Sequence, residues 1–499
     1  MRKLFTVVLA IGTFSAMAQK GPETYAKTIT AADLRQHLYI VAGAEMQGRE
    51  TATEGQRKAA AYIETQFKRI GLQPGNNGSF QQPYPLYQDS LVAAGMEVNG
   101  QKFTLDKDFN TNLANTPALQ AFSEAVFIGP SVTADAIKAV NLSGKLVVIA
   151  GESGARGRGV VAPRMDAIRG GGAAAVLTVS ANYPRREPAE RKGRLGLSFF
   201  KPLIGAQQFT VSEGVAKAIV GTANAAGGSG YESVKSAITP TVVKAEVLLN
   251  VEKATRTLQS TNVVGVLPGT DLKDEYLVIT AHYDHEGSRG DSVIFYGADD
   301  DGSGTVSVIE LAEAFAKAKA AGKGPRRSIV FMTVSGEEKG LLGSAYYGDH
   351  PLFPLEKTTA NLNIDMIGRI DPKRTVGDST NYVYVVGDDK LSSDLRPISE
   401  AVNKKFTRLE LDYKYNAPDD KEFIYYRSDH YNFAKNGVPI IFYFNGTHAD
   451  YHRPTDTPDK INYPLMEKRA RLVFHTAWEM ANRQEMLKRD RPLPPLARN

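Results

Sequence analysis

Cysteine is absent from the chain. That excludes disulfides, thiolate metal ligands and a lipid-bearing cysteine, so any metal ion must be held by His, Asp and Glu. Beyond the N-terminus no apolar run is long enough to span a bilayer, which leaves no internal membrane segment to expect. A large charge imbalance is missing too: 60 Lys and Arg against 55 Asp and Glu leave a formal net charge of +5. So weak a balance implies no nucleic-acid or membrane-surface partner. The Gly-rich pieces GESGARGRG and RGGG lack the Lys-Ser/Thr of a P-loop and the spacing of a dinucleotide fingerprint, so they are assigned loop turns and no chemistry.

What is present is, first, a length of 499 residues, too great for one ordinary core and suited to two domains or one large domain with an insertion. Residues 1–18 place Arg2 and Lys3 before an apolar run that ends in Ala16-Met17-Ala18, the pattern of a cleaved signal peptide. The run is too short to be a comfortable membrane anchor, so export to the periplasm or medium is expected, with Gln19 first in the mature chain. Thr30 can cap a first helix, and residues 56–70 repeat apolar positions at helical spacing up to Gly71. Asn76-Asn77-Gly78 reads as a turn and Asn99-Gly100 as a hairpin. Between about residues 108 and 253 aromatics thin out and Ala, Gly, Val and Ser rise, the texture of an inserted small α/β or β-rich module.

From Thr261 onward apolar strand runs alternate with helices at 304–320, 395–406 and 463–482. The expected fold class is therefore α/β: a mostly parallel or mixed central sheet with helices on both faces. Ligands of such sheets sit beyond the carboxyl ends of the strands.

Ionisable side chains collect at those ends. Residues 278–305, VITAHYDHEGSRGDSVIFYGADDDGSGT, end a strand on His282 and add Asp284, His285 and the consecutive Asp299, Asp300 and Asp301. SGEEKGLLGS, NIDMIG and HADYHRPTDT follow, each placing a carboxylate or imidazole at or near the end of an apolar run. Asp and Gly runs after strands are common in turns and caps, and Asp301 is the expected cap of the helix that follows. Four such endings together point to a metal site.

In this order and spacing, HYDH, GADDDGSG, SGEEKGLLGS, NIDMIG and YHRPTDT resemble metallopeptidase family 28, the two-zinc aminopeptidases with a phosphorylase/hydrolase-like fold. The opening segment MQGRETATEGQRKAAAYIETQFKRIGL is similar as well, and residues near 120–250 resemble the protease-associated domain often inserted in that family. The resemblance implies a peptidase domain over 19–118 and 255–485, an insertion over 119–254, and a tail over 486–499. It implies two zinc ions, one on His282 and Asp365, the other on Glu338 and His452, with Asp299 bridging both. Glu337 would be the general base, and Asp284 would orient His282 through its second ring nitrogen. A cis peptide is expected at Asp299-Asp300, and His448 is a candidate for substrate contact. RSDH at 427–430 also resembles a family segment, without a ligand assigned.

The expected activity is removal of N-terminal residues from peptides. Two alternatives stand beside it: a carboxypeptidase, dipeptidase or glutaminyl cyclase on the same fold, and a peptide- or glycan-binding protein with a structural zinc site. Side-chain preference and oligomeric state are not readable from the residues.

Overall fold

The structure is a computed structural model that describes residues 21–150, 158–185, 188, 191–199, 205–221, 230–290 and 292–494. The expected signal peptide over 1–18 lies outside the described residues, as do most of GESGARGRG and the end of the tail. Two compact units divide the chain. One comprises Met1–Tyr84 and Gln259–Asn499, the other Pro85–Leu258.

The first unit is built on four parallel strands in the order Ile440–Phe444, Thr358–Ile364, Leu272–His282 and Arg327–Val334. Tyr382–Val386 flanks Ile440–Phe444 antiparallel and is followed by Glu410–Asp412; on the other side residues 263–267 run antiparallel to Arg327–Val334. These strands are near-continuous apolar runs because both of their faces are buried. Leu277, Ile279, Phe331 and Leu362 pack on one face with the helices Ala31–Val41, Glu54–Ile70, Gly304–Ala320 and Tyr463–Asn482. Val278, Val330, Met332 and Phe442 pack on the other with Tyr347 and Phe433, from the helices Leu342–Asp349 and His430–Ala434. The α/β class and mixed sheet read from the sequence are what the structure has.

Local signals act where they stand in the sequence. Thr30 accepts from Asp33 N at the start of the first long helix, Thr53 starts the helix Glu54–Ile70 two residues before the spacing predicts, and Gly71 ends it at φ 86°. The helices expected at 304–320, 395–406 and 463–482 have those bounds.

The second unit orders Ala118–Ile128, Leu146–Ile149, Ala175–Val179 and Gln207–Val211 as a parallel run, with residues 241–251 antiparallel beside Ala118–Ile128. Asn99 and Gly100, both at positive φ, turn a hairpin that pairs Val98 with Gln101. This unit begins at Pro85, well before residue 119, where the sequence reading starts the insertion. The reason is packing. Phe109–Thr111 pairs with Gln207–Val211, and Phe109 is fully buried against Phe209.

Phe315 lies at the centre of the first unit's larger core, 4.5 Å ring to ring from Phe474 and 5.8 Å from Trp478, the chain's single tryptophan. Phe315→Ala should cost about 3–5 kcal/mol, read as a lower urea midpoint through Trp478 fluorescence. A change below about 1 kcal/mol would mean that the site collapses without a cavity.

Candidate metal centre

Parallel pairing sets three strand ends side by side. His282, the last residue of Leu272–His282, stands opposite Val334, and Thr280 stands opposite Asn363. Glu337 and Glu338 follow Val334 within four residues, and Asp365 follows Ile364, so one register brings imidazole and carboxylates to one end of the sheet. The three aspartates 299–301 lie in the turn that leads into the helix Gly304–Ala320. Gly297 makes this turn possible: at φ 56°, a Cβ there would lie 2.3 Å from Asp300 O and 2.4 Å from the His285 ring. His452 arrives from the loop beyond Ile440–Phe444.

The centre of the cluster is Asp300. Its Oδ1 lies 3.2 Å from His282 Nε2 and its Oδ2 lies 3.1 Å from His452 Nε2. His282 Nε2 is also 3.7 Å from Asp365 Oδ1 and 3.9 Å from Glu337 Oε2, while His452 Nε2 is 3.1 Å from Glu338 Oε2. Three groups of donors converge within 4.8 Å each: His282, Glu337 and Asp365; His285, Asp300 and Glu338; and Glu286, Glu338 and His452. Apart from His452 and Glu286 these side chains are almost wholly shielded from solvent.

Electrostatics follow from that crowding. Burial works to raise the Asp300 carboxyl, but the imidazoles of His282 and His452 prevail and hold it well below the usual range. Burial disfavours charge on His282, yet Glu337 and Asp365 outweigh it and raise the ring well above an ordinary imidazole. His452 is pushed up to about 10, its own burial opposed by Asp300 and Glu338. Glu337 is raised by burial first, with Glu338 and Asp365 adding to it against His282.

The donor set suits zinc. Imidazole and carboxylate are its ligands where thiolate is absent, and His282 Nε2, Asp300 Oδ2 and Glu338 Oε1 are buried without a hydrogen bond. Buried polar atoms seldom go unpaired. Atoms facing a common cation explain these.

Four expectations need correction. Asp299 does not face the two imidazoles that the expected bridging role needs: its Oδ1 accepts from Gly368 N at 2.6 Å and its Oδ2 lies 3.1 Å from His448 Nε2, while Asp300 stands beside His282 and His452. The non-proline cis peptide is Asp300-Asp301, one bond later than expected. His448 is buried against Asp299 and does not line the cleft beside Glu337. The second nitrogen of His282 lies 3.1 Å from the backbone carbonyl of Asp284, with the carboxylate farther, at 3.7 Å. That carboxylate instead accepts from Thr51 Oγ1 at 2.6 Å and Glu337 N at 3.3 Å, and so positions the 337 segment. Asp301 does cap its helix: Gly304 N donates to it at 2.8 Å, and Met366 N and His282 N donate as well.

Several supporting residues went unread in the sequence. Arg49 is fully buried and donates to the carbonyls of Val41, Tyr283, Tyr296 and Gly297, joining the His282 strand end to the 297–301 turn. Nothing in its polar, Gly-rich surroundings announces a buried guanidinium at φ 53°. Ser428, in the unassigned RSDH, donates to Asp365 Oδ2 at 2.6 Å, and Asp456 accepts from the backbone of Asp299 and Asp300. A cleft opens beside Asp300, Glu337 and Asp365, walled by Met366, Ile424, Phe442 and Phe444, with Arg427 and Tyr451 at its side.

A family model described as "Peptidase family M28" matches residues 262–477. A probable leucine aminopeptidase of Arthroderma otae is 29% identical over 236 residues, covering 46% of this chain and 60% of that protein. Aminopeptidase YwaD of Bacillus subtilis is 26% identical over 242 residues, covering 47% of each. The chain thus spans about half the length of the curated relatives it matches. Among solved structures, an aminopeptidase from Aneurinibacillus sp. strain AM-1 superposes with a TM-score of 0.54 at 19% identity, over 96% of this chain and 100% of that one. At that identity the likeness establishes the fold.

Asp300→Asn should weaken zinc binding by more than about a hundredfold, beyond what loss of an outer hydrogen-bonding residue costs, whereas Asp299→Asn should remain within that range. Competition with a chelator measures both. The opposite order would return the shared position to Asp299.

Proposed function

Residues 262–477 belong to peptidase family M28, and from that premise we propose that the chain is an exported zinc-dependent aminopeptidase with two zinc ions per chain. One observation carries the reading: the two oxygens of Asp300 face different imidazoles, Oδ1 that of His282 and Oδ2 that of His452. A carboxylate placed this way can be shared by two ions about 3.5–4 Å apart.

His282 and Asp365 would hold one ion, Glu338 and His452 the other, with Asp300 common to both. Zinc so held supplies Lewis acidity, polarising the scissile carbonyl and acidifying water. Glu337 is the general base: it takes the proton of the attacking water and hands it to the leaving amine as the C–N bond breaks. Its backbone N–H is fixed on Asp284, and its carboxylate borders the cleft. The apolar wall of Met366, Ile424, Phe442 and Phe444 would take the side chain of the first residue, giving a preference for apolar residues there. The relative named a probable leucine aminopeptidase agrees with such a preference. No helix among the described residues is long and apolar enough to cross a membrane, and export is read from residues 1–18. The second unit is read as an accessory, protease-associated insertion that contributes no zinc ligand.

The test joins metal analysis to a peptide panel. Two zincs per chain are expected, with cleavage of Leu-, Met- and Phe-initiated peptides only when the amino terminus is free. One zinc with cyclase activity, or cleavage indifferent to N-acetylation, would overturn the assignment. Glu337→Gln should lower kcat by about 10²–10⁴-fold with zinc content unchanged; normal turnover would remove Glu337 from its role.

A further inference from the structure

His285 takes no part in the mechanism above, yet it stands inside the cluster. It is fully buried, its Nε2 forms no hydrogen bond, and its Nδ1 is aimed at the carboxylates of Glu338 and Asp300. Other histidines of the first unit are engaged: His282 Nδ1 lies 3.1 Å from Asp284 O, His430 Nε2 lies 2.7 Å from Tyr425 O, and His37 Nδ1 lies 2.6 Å from Tyr62 OH. A buried imidazole whose ring nitrogen is aimed between two carboxylates has the placement of a cation ligand.

The neighbouring atoms name the ligand. His285 Nδ1 is 2.8 Å from Glu338 Oε1 and 3.7 Å from Asp300 Oδ2. His452 Nε2 is 3.1 Å from each of Asp300 Oδ2 and Glu338 Oε2, and the two imidazoles stand edge to face at 5.8 Å. Bonds of about 2.0–2.1 Å in a tetrahedron put donor atoms about 3.3 Å apart, and these separations bracket that value. The backbone holds the ring in place, since His285 N donates to Arg49 O at 3.3 Å and Gly297 leaves room for the ring.

We propose that His285 is a direct zinc ligand, completing with Asp300, Glu338 and His452 a closed site of four side chains, so that the paired ions are held unequally. The inference rests on the two-ion reading above. The other position has His282, Asp365 and the shared Asp300, one imidazole in place of two. It also faces the cleft, which is lined by Asp300, Glu337 and Asp365 but by neither Glu338 nor His285. Four protein donors make a closed, retentive site, and three leave a place for water or substrate. The ion at His285 is therefore the anchored one, and the ion at His282 the exchangeable one.

The first test needs no substitution. Zinc K-edge X-ray absorption of protein carrying two zincs should show three imidazoles shared between the two ions; two imidazoles would overturn the proposal while leaving the two-ion reading intact. A protein that takes up only one zinc even when zinc is added in excess would overturn that reading and this inference with it. Chelator competition supplies the second test. The full-length protein should release zinc in two phases, and both His285→Ala and His285→Asn should weaken the tighter phase by more than about a hundredfold, beyond the effect of losing an outer hydrogen bond. Asn keeps an N–H near the place of Nδ1, so tight binding retained within about tenfold in His285→Asn, with a loss in His285→Ala, would make the ring only a hydrogen-bond donor to Glu338 and overturn the proposal. The thermal midpoint of each metal-free variant is measured alongside, and the absorption result stands whether or not the variants fold.

Discussion

Carboxylates repel one another when they are brought together out of water, and the end of this sheet brings four of them together. Asp300, Glu337, Glu338 and Asp365 lie within reach of one imidazole or another, shielded from solvent. Such an arrangement is stable only if positive charge sits among them. Protonated His282 and His452 can supply some of it, and divalent cations supply it more fully. The parallel register, the turn around Gly297 and the loop that delivers His452 all serve that convergence, and the rest of the first unit is the frame that withstands it.

That frame is made from backbone and from one guanidinium. Arg49 donates to four carbonyls from three separate segments, and its charge lies near Asp284, Asp300 and Asp301, although burial still pulls it down to about 10. Asp301 performs the complementary task, collecting the N–H groups of His282, Gly304 and Met366 from three separate segments. A donor and an acceptor, each buried, thereby lock the segments that carry the cluster.

Much of this was legible in the residues because it is local. Apolar runs buried on both faces mark the strands, and helix limits follow from periodicity, Thr30 and Gly71. His282, Glu337, Glu338 and Asp365 could be found because a strand end is a place that sequence can point to. The three aspartates could not be told apart, since 299, 300 and 301 share one chemistry and differ only in the turn's direction, which Gly297 and the backbone contacts to Asp456 decide. His285 and Arg49 were harder still: His285 has no role assigned in its motif and Arg49 lies in a polar stretch, and only long-range packing buries them. The second unit's early start was hidden for a like reason, because Phe109–Thr111 finds its partner strand about a hundred residues downstream.

Arg49 contacts Tyr283, a residue 234 positions away, and the cluster is not complete until His452. The whole of the second unit lies within that interval. Closing so long a loop costs entropy that only late, non-local contacts return, and such contacts form slowly. A chain emerging from the ribosome cannot assemble this cluster until its last third has been made and its first helices have docked. Chain order thus makes the convergence of these side chains one of the last events of folding.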